Sequence, residues 1–193
     1  MAEIVLFHHV GGLTEGVLGF AQRLRDAGHT VHTPDLFDGR IFTDLHDGIA
    51  YVDSVGEEAV AARATEIVAP LAHDLVYGGM SMGAARAAEQ VLSRPGARAA
   101  FFLYGTVAPS WWQATWPADV KSQAHVTEGD EFREPEAEAE YVAEVPGAQL
   151  FVYPGSGHLF AEPGHPDYDE DSAKTATNRV LAFLADSDAC SAQ

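Results

Sequence analysis

Short runs of β-branched and aromatic residues alternate with segments of helical period along the whole chain. The runs lie at residues 3–8 (EIVLFH), 29–33 (HTVHT), 74–79 (DLVYGG), 98–104 (RAAFFLY), 121–127 (KSQAHVT) and 148–153 (AQLFVY). Apolar residues at a 3.6-residue period fill the intervals: Leu13, Val17, Phe20 and Leu24; then Val60, Ala64, Ile67 and Leu71; then Met82, Ala85, Ala88 and Leu92. A last set, Ala173, Ala176, Val180 and Phe183, follows the final run. A helix between two parallel strands must pack back onto the face of their sheet. The alternation therefore restricts the chain to an α/β fold: a central, mostly parallel sheet of about six strands with helices on both faces. Gly28, Gly96 and Gly147 stand where helical segments give way to strands, as glycine does at helix C-termini. The 193 residues fit one hydrophobic core, so the expectation is a single domain over residues 1–187 with a flexible tail at 188–193.

Charge and cysteine content narrow the function classes. Twenty-nine acidic against eleven basic residues give a net charge of −18, which repels phosphate backbones and anionic lipid heads. Nucleic acid and membranes are therefore not expected partners, and the oligomeric state is not legible. Eight carboxylates crowd residues 128–144 against the single cation Arg133, yet Ala137, Tyr141, Val142 and Val145 keep helical spacing there, which reads as a solvated helix face. No stretch approaches the ~20 apolar residues of a membrane helix. The N-terminal run Ile4–Phe7 lacks a basic flank and reads as a first strand, not as a signal peptide, so the expected location is cytoplasmic. The lone Cys190, in a polar tail, suits neither an internal disulfide nor catalysis.

In a parallel sheet, ligands collect beyond the carboxyl ends of the strands. The third run ends in "GGMSMG", residues 78–83, where Gly79 and Gly83 flank Ser81 in the pattern G-x-S-x-G. That pattern permits a strained strand-to-helix turn that lifts a serine hydroxyl out of the sheet, and the amide of Met82 then faces a developing oxyanion. A plain packing turn is the competing interpretation. A serine nucleophile needs a base, and the base needs an orienting acid, arriving in the order serine, acid, histidine. Asp130 follows the fifth run, with Glu128, Glu131 and Asp119 as rivals; His158 follows the sixth in "PGSGH", with His165 as rival. An ordinary turn aspartate is the alternative for Asp130 taken alone. A second oxyanion donor belongs to the loop His8–Leu13 after the first run. The adjacent His8 and His9 suggest a metal, but neighbouring strand residues point to opposite faces, so no metal and no cofactor is expected.

With these residues in place, the chain resembles the dienelactone hydrolase family of the α/β-hydrolase superfamily. The likeness runs from "FHHVGGLTEGV" through "AGHTVHTPDLFDGR" and "GGMSMGAARA" to "EGDEF" and "YPGSGHLF". It implies an α/β-hydrolase fold with a central nucleophile strand, Ser81 as nucleophile, Asp130 as orienter, His158 as base, and the amides of Met82 and Val10 as oxyanion donors. Two departures stand out. The namesake enzymes carry cysteine where Ser81 stands, and they hold a substrate carboxylate with arginines. One of those arginines lies four residues past the histidine, where this chain has Glu162; Arg40 matches the other. The family's glutamate beside the oxyanion loop is replaced by His9.

The implied function is hydrolysis of a small-molecule ester or lactone by acyl transfer, with Glu162 expected to face the substrate and repel anionic ones. Two alternatives remain: a serine perhydrolase or acyltransferase-like enzyme, because the Ser-Met dipeptide is similar to theirs, and a non-catalytic binding domain that keeps the fold. Trp111, Trp112 and Trp116 either wall the pocket or cover a core, and Met80, Met82 and Tyr104 are further lining candidates.

Overall fold

The computed structural model describes residues 1–190, with side chains through residue 187. Six strands form one sheet: β1 (Glu3–Phe7), β2 (Thr30–His32), β3 (Val76–Met80), β4 (Ala99–Leu103), β5 (Lys121–Thr127) and β6 (Gln149–Tyr153), in the order β2-β1-β3-β4-β5-β6. Every neighbouring pair is parallel. The helices are α1 (Glu15–Asp26), α2 (Leu45–Val55), α3 (Glu57–Val68), α4 (Met82–Ser93), α5 (Pro135–Glu144) and α6 (Glu170–Cys190). This is the α/β-hydrolase fold. The tail expected at 188–193 falls outside the residues whose side chains are described.

Two cores explain why β3 and β4 are apolar or small throughout instead of alternating. One face of the sheet packs Val5, Phe7, Tyr77 and Phe102 against α2 to α5, and the other packs Ile4, Leu6, Val76 and Phe101 against α1 and α6. Both faces of β3 and β4 are buried along their whole length, so each position must be apolar or small. β6 lies at the edge and keeps exposed positions. The expected helix faces recur with small shifts. Val17, Phe20 and Leu24 of α1, and Val60 and Ala64 of α3, are buried, whereas in α6 Leu184 takes the buried place expected for Phe183. In α5, Ala137 and Tyr141 are buried, with Val145 just beyond, while Val142 faces water.

Helix α2 was not legible in the sequence. Only Gly48 and Val52 of its length are buried, too few to imprint a period, and its start is set by the Asp44 carboxylate accepting from the His46 amide. Among the described residues, no helix is long and apolar enough to cross a membrane.

His125 sits fully buried in the middle of β5, its Nδ1 2.8 Å from the Tyr153 hydroxyl and its ring stacked on Phe151 and Tyr153. Burial pushes its pKa down to about 3, with the nearby Arg179 guanidinium adding to the effect. The unfolded chain protonates this histidine near the ordinary value of ~6.5, so the unfolded state binds the extra proton first as pH falls. The contribution is complete above that value and is lost as pH falls from there toward 3. Urea unfolding between pH 5.5 and 4 is expected to show a slope in His125→Phe shallower than wild type by about 1.4 kcal/mol per pH unit. Equal slopes would mean that the folded protein protonates His125 as readily as the unfolded chain does.

Candidate active site

The elbow after β3 follows from two close backbone approaches. A Cβ on Gly79 would overlap the Gly83 carbonyl, and a Cβ on Gly83 would overlap the Phe7 carbonyl and stand 2.7 Å from that of His8. The first turn of α4 thus lies directly on the end of β1. To enter that helix from β3, the chain turns at Ser81 with φ 51° and ψ −118°, a conformation that side-chain-bearing residues rarely adopt. The Ser81 amide is anchored to the Leu103 carbonyl at 2.8 Å, and the hydroxyl is left beyond the strand ends.

The structure brings Ser81, His158 and Asp130 together. His158 Nδ1 lies 2.7 Å from Asp130 Oδ2, and its Nε2 lies 2.9 Å from Ser81 Oγ. A carboxylate only accepts, so Nδ1 carries the proton and Nε2 is left to accept from the serine hydroxyl. Asp130 and His158 are nearly buried, and the second Asp130 oxygen accepts from the Phe132 amide at 2.9 Å. Phe132 and Tyr104 flank the imidazole, with ring centroids 4.8 Å and 5.7 Å away. Glu128, Glu131 and Asp119 are exposed, and His165 takes a separate place, its Nδ1 accepting from the Asp167 amide.

Ser81, Met82, Tyr104, Phe132, Arg133 and His158 border a cavity of about 350 Å³. A second, of about 340 Å³, opens on the other side of Phe132 and His158 toward Asp44 and His46. A further hollow of about 440 Å³ between α1 and α6 touches none of these groups, so size alone does not mark the site.

The loop after β1 explains the paired histidines. His8 turns one way: its Nδ1 donates to the His9 carbonyl and its Nε2 accepts from the Leu36 amide. Burial pushes the His8 pKa down to about 4. His9 turns the other way, with Nδ1 accepting from the Gly11 amide at 3.0 Å and Nε2 2.7 Å from Glu162 Oε2. The His9 carbonyl also accepts from Gly12, so the peptide joining His9 to Val10 is held from its oxygen side. Met82 begins α4 with its amide in the helix's first turn, where N–H groups have no intrahelical acceptor.

Residues 1–187 match the sequence profile of the dienelactone hydrolase family. The chain belongs to that family. Its fold recurs in a Klebsiella pneumoniae protein assigned as a dienelactone hydrolase, at 20% identity and a TM-score of 0.76 over 96% of this chain and 87% of that one. A dienelactone hydrolase-like promiscuous phosphotriesterase from metagenomic libraries superposes with a TM-score of 0.75 at 18% identity, over 96% and 86% of the two chains. The dienelactone hydrolase of Anabaena variabilis gives 0.68 at 19% identity, over 95% and 86%. No curated protein matches the sequence.

Against the expectations for this dienelactone hydrolase family member, the substrate-binding candidates are displaced. Glu162 does not face the cavity: it is buried, with Oε1 accepting from Thr14 Oγ1 at 2.5 Å and Oε2 taken by His9, so it presents no free charge to a substrate. His9 is buried as its partner. Arg40 leaves the site and lies 5.4 Å above the Tyr51 ring. Met80 points into the core beneath the sheet. Trp111 is half exposed and donates to Glu140, Trp112 donates to Glu89, and Trp116 fills a core with its Nε1 on the Val120 carbonyl; none of them borders the Ser81 cavity. Their loop follows a strand, but a short, tight 3-10 helix at Pro109–Trp112 turns Trp111 toward α5 and Trp112 toward α4.

Of the further lining candidates, Met82 and Tyr104 do border the cavity, while Phe132, Arg133 and Glu57 beside them were missed. Phe132 stands two residues after Asp130, and that proximity was the one signal that pointed to it. Gly83→Ala is expected to cost about 3 kcal/mol, because its Cβ meets backbone oxygens that cannot rotate away. Chemical denaturation checks this; a loss under 0.5 kcal/mol would show that α4 can withdraw from β1.

Proposed function

We propose that the chain hydrolyses small neutral carboxylic esters or lactones through an acyl-enzyme on Ser81. The observation that carries this reading is the unbroken hydrogen-bond chain Asp130–His158–Ser81 on a strained elbow. Nothing in folding requires all three groups, which counts against an idle binding domain.

Ser81 Oγ attacks the carbonyl carbon while its proton passes to His158 Nε2. The carbonyl electron pair moves onto oxygen, stabilised by the Met82 and Val10 amides at positions where charge develops only in the transition state. Collapse of this intermediate breaks the ester C–O bond, and the alkoxide leaves with the proton from His158. Water then repeats the sequence on the acyl-enzyme, giving its proton to His158, which returns it to Ser81. Asp130 keeps the proton on Nδ1 throughout and stabilises the imidazolium. The cavities on either side of His158 and Phe132 offer separate room for the acyl and alcohol parts. No cofactor enters this cycle, and the substrate is a small molecule acting in the cytoplasm.

Charge supports a neutral substrate. Arg133 is the cation at the cavity, and its guanidinium is held by both oxygens of Glu138 and by the Glu128 carbonyl. Glu57 and Glu134 stand at the rim with no ion pair among the described residues. A substrate carboxylate would meet two like charges and no available partner.

Ser81→Ala is expected to lower aryl-ester turnover by about 10⁴-fold or more, and Asp130→Asn by about 10³-fold, while Glu128→Gln and Glu131→Gln stay within about twofold. Steady-state kinetics on folded variants checks this: residual activity of a tenth in Ser81→Ala would remove Ser81 as nucleophile. Equal losses at all three carboxylates would replace the orienting role of Asp130 by a general field. For specificity, the double variant Glu57→Gln/Glu134→Gln is expected to raise kcat/KM for a carboxylate-bearing ester about fivefold relative to its neutral analogue at low salt. An unchanged ratio would mean that the rim charges do not select.

A further inference from the structure

Glu162 and His9 come from opposite ends of the sequence, yet they meet in the interior beside the elbow. His9 Nε2 lies 2.7 Å from Glu162 Oε2, and Thr14 Oγ1 donates to Oε1 at 2.5 Å. The His9 tautomer follows from its other nitrogen. Nδ1 accepts from the Gly11 amide, so Nε2 holds the proton and donates to the carboxylate. Burial alone would raise the Glu162 carboxyl, but the bonds from His9 and Thr14 outweigh it and hold the group below the usual carboxylate range. The carboxylate stem also fills the space over Gly16, where a Cβ would overlap it.

Each end of this link is rigidly joined to a reacting element. On one side, His9 precedes Val10, and its carbonyl, Nδ1 and Nε2 are all engaged, so the Val10 N–H cannot turn without breaking one of those bonds. On the other side, a tight turn carries Glu162 from His158: the Glu162 amide donates to the Leu159 carbonyl, and Leu159, Phe160 and Ala161 are buried. We propose that His9, Glu162 and Thr14 form a positioning link that sets the Val10 oxyanion donor in register with His158 across the two loops. The proposal rests on the acyl-transfer reading above. What the link needs is an acceptor facing His9 and a hydrogen bond to Thr14, not the negative charge itself.

The test compares wild type with His9→Asn, Glu162→Leu and Glu162→Gln. In His9→Asn, the side-chain oxygen can still accept from Gly11, preserving the local turn, but it is too short to reach Glu162. In Glu162→Gln, the amide oxygen accepts from His9 and the amide nitrogen donates to Thr14 Oγ1. Two rates are measured per folded molecule, the second-order labelling of Ser81 by a fluorophosphonate probe and kcat with KM on a neutral aryl ester, with folding checked by circular dichroism. An oxyanion donor acts in the transition state and not on bound substrate. His9→Asn and Glu162→Leu are therefore expected to slow labelling and kcat together by about 10-fold to 100-fold, with KM within about twofold, and Glu162→Gln to recover most of the loss.

Wild-type rates in folded His9→Asn would overturn the link, and that variant decides if Glu162→Leu does not fold. A Glu162→Gln loss as deep as that of His9→Asn would overturn the acceptor argument. Absence of labelling in wild type would instead overturn the acyl-transfer reading, and the link with it.

Discussion

The contact between the first turn of α4 and the end of β1 determines the geometry of the whole site. Gly83 allows the helix to rest on the Phe7 and His8 carbonyls, and Gly79 allows the strand to pass beneath Gly83. With both approaches made, the one residue left to absorb the change of direction is Ser81, whose positive φ is the result. Such a backbone costs of order 1–3 kcal/mol and persists only where the surroundings over-determine it. The two fully buried central strands provide that constraint, and so the strain is held by core packing distant from the hydroxyl it exposes.

This explains what was legible in the sequence. The six strands were visible because helices cover both sheet faces, which demands continuous apolar runs at β1, β3 and β4. Ser81 was visible because only glycine tolerates the contacts on either side of it. Asp130 and His158 were visible through chain order, since each strand end of a parallel sheet faces the same edge. Helix α2 escaped because it buries only Gly48 and Val52, and a helix lying so lightly on the core has no reason to keep a period.

Side-chain direction was not legible. Trp111 and Trp112 follow a strand end just as Asp130 does, but four residues of tight helix at 109–112 turn them toward α5 and α4. Phe132 reaches His158 because Asp130 accepts from the Phe132 amide and folds the chain back on itself. Neither direction is encoded by residue type at one position; each depends on a hydrogen bond or turn made after the strand ends.

Glu162 shows the same limit in a more instructive form. Taken alone, a carboxylate four residues past the base, where the resembled enzymes hold an arginine, looks like a reversal of substrate charge. His9, where they hold a glutamate, looks like an unrelated substitution in a distant loop. The two positions are in hydrogen-bond contact. A buried acid requires donors, and a donor placed there requires an acceptor, so removing either His9 or Glu162 alone would leave a buried polar group without its partner. Two apparent departures from the resembled pattern thus meet in one hydrogen-bonded pair of this chain. The consequence for recognition differs from the one suggested by sequence: the Glu162 carboxylate is satisfied internally by His9 and Thr14, and selection among substrates passes to the rim, where Glu57 and Glu134 face solvent and Arg133 is already engaged.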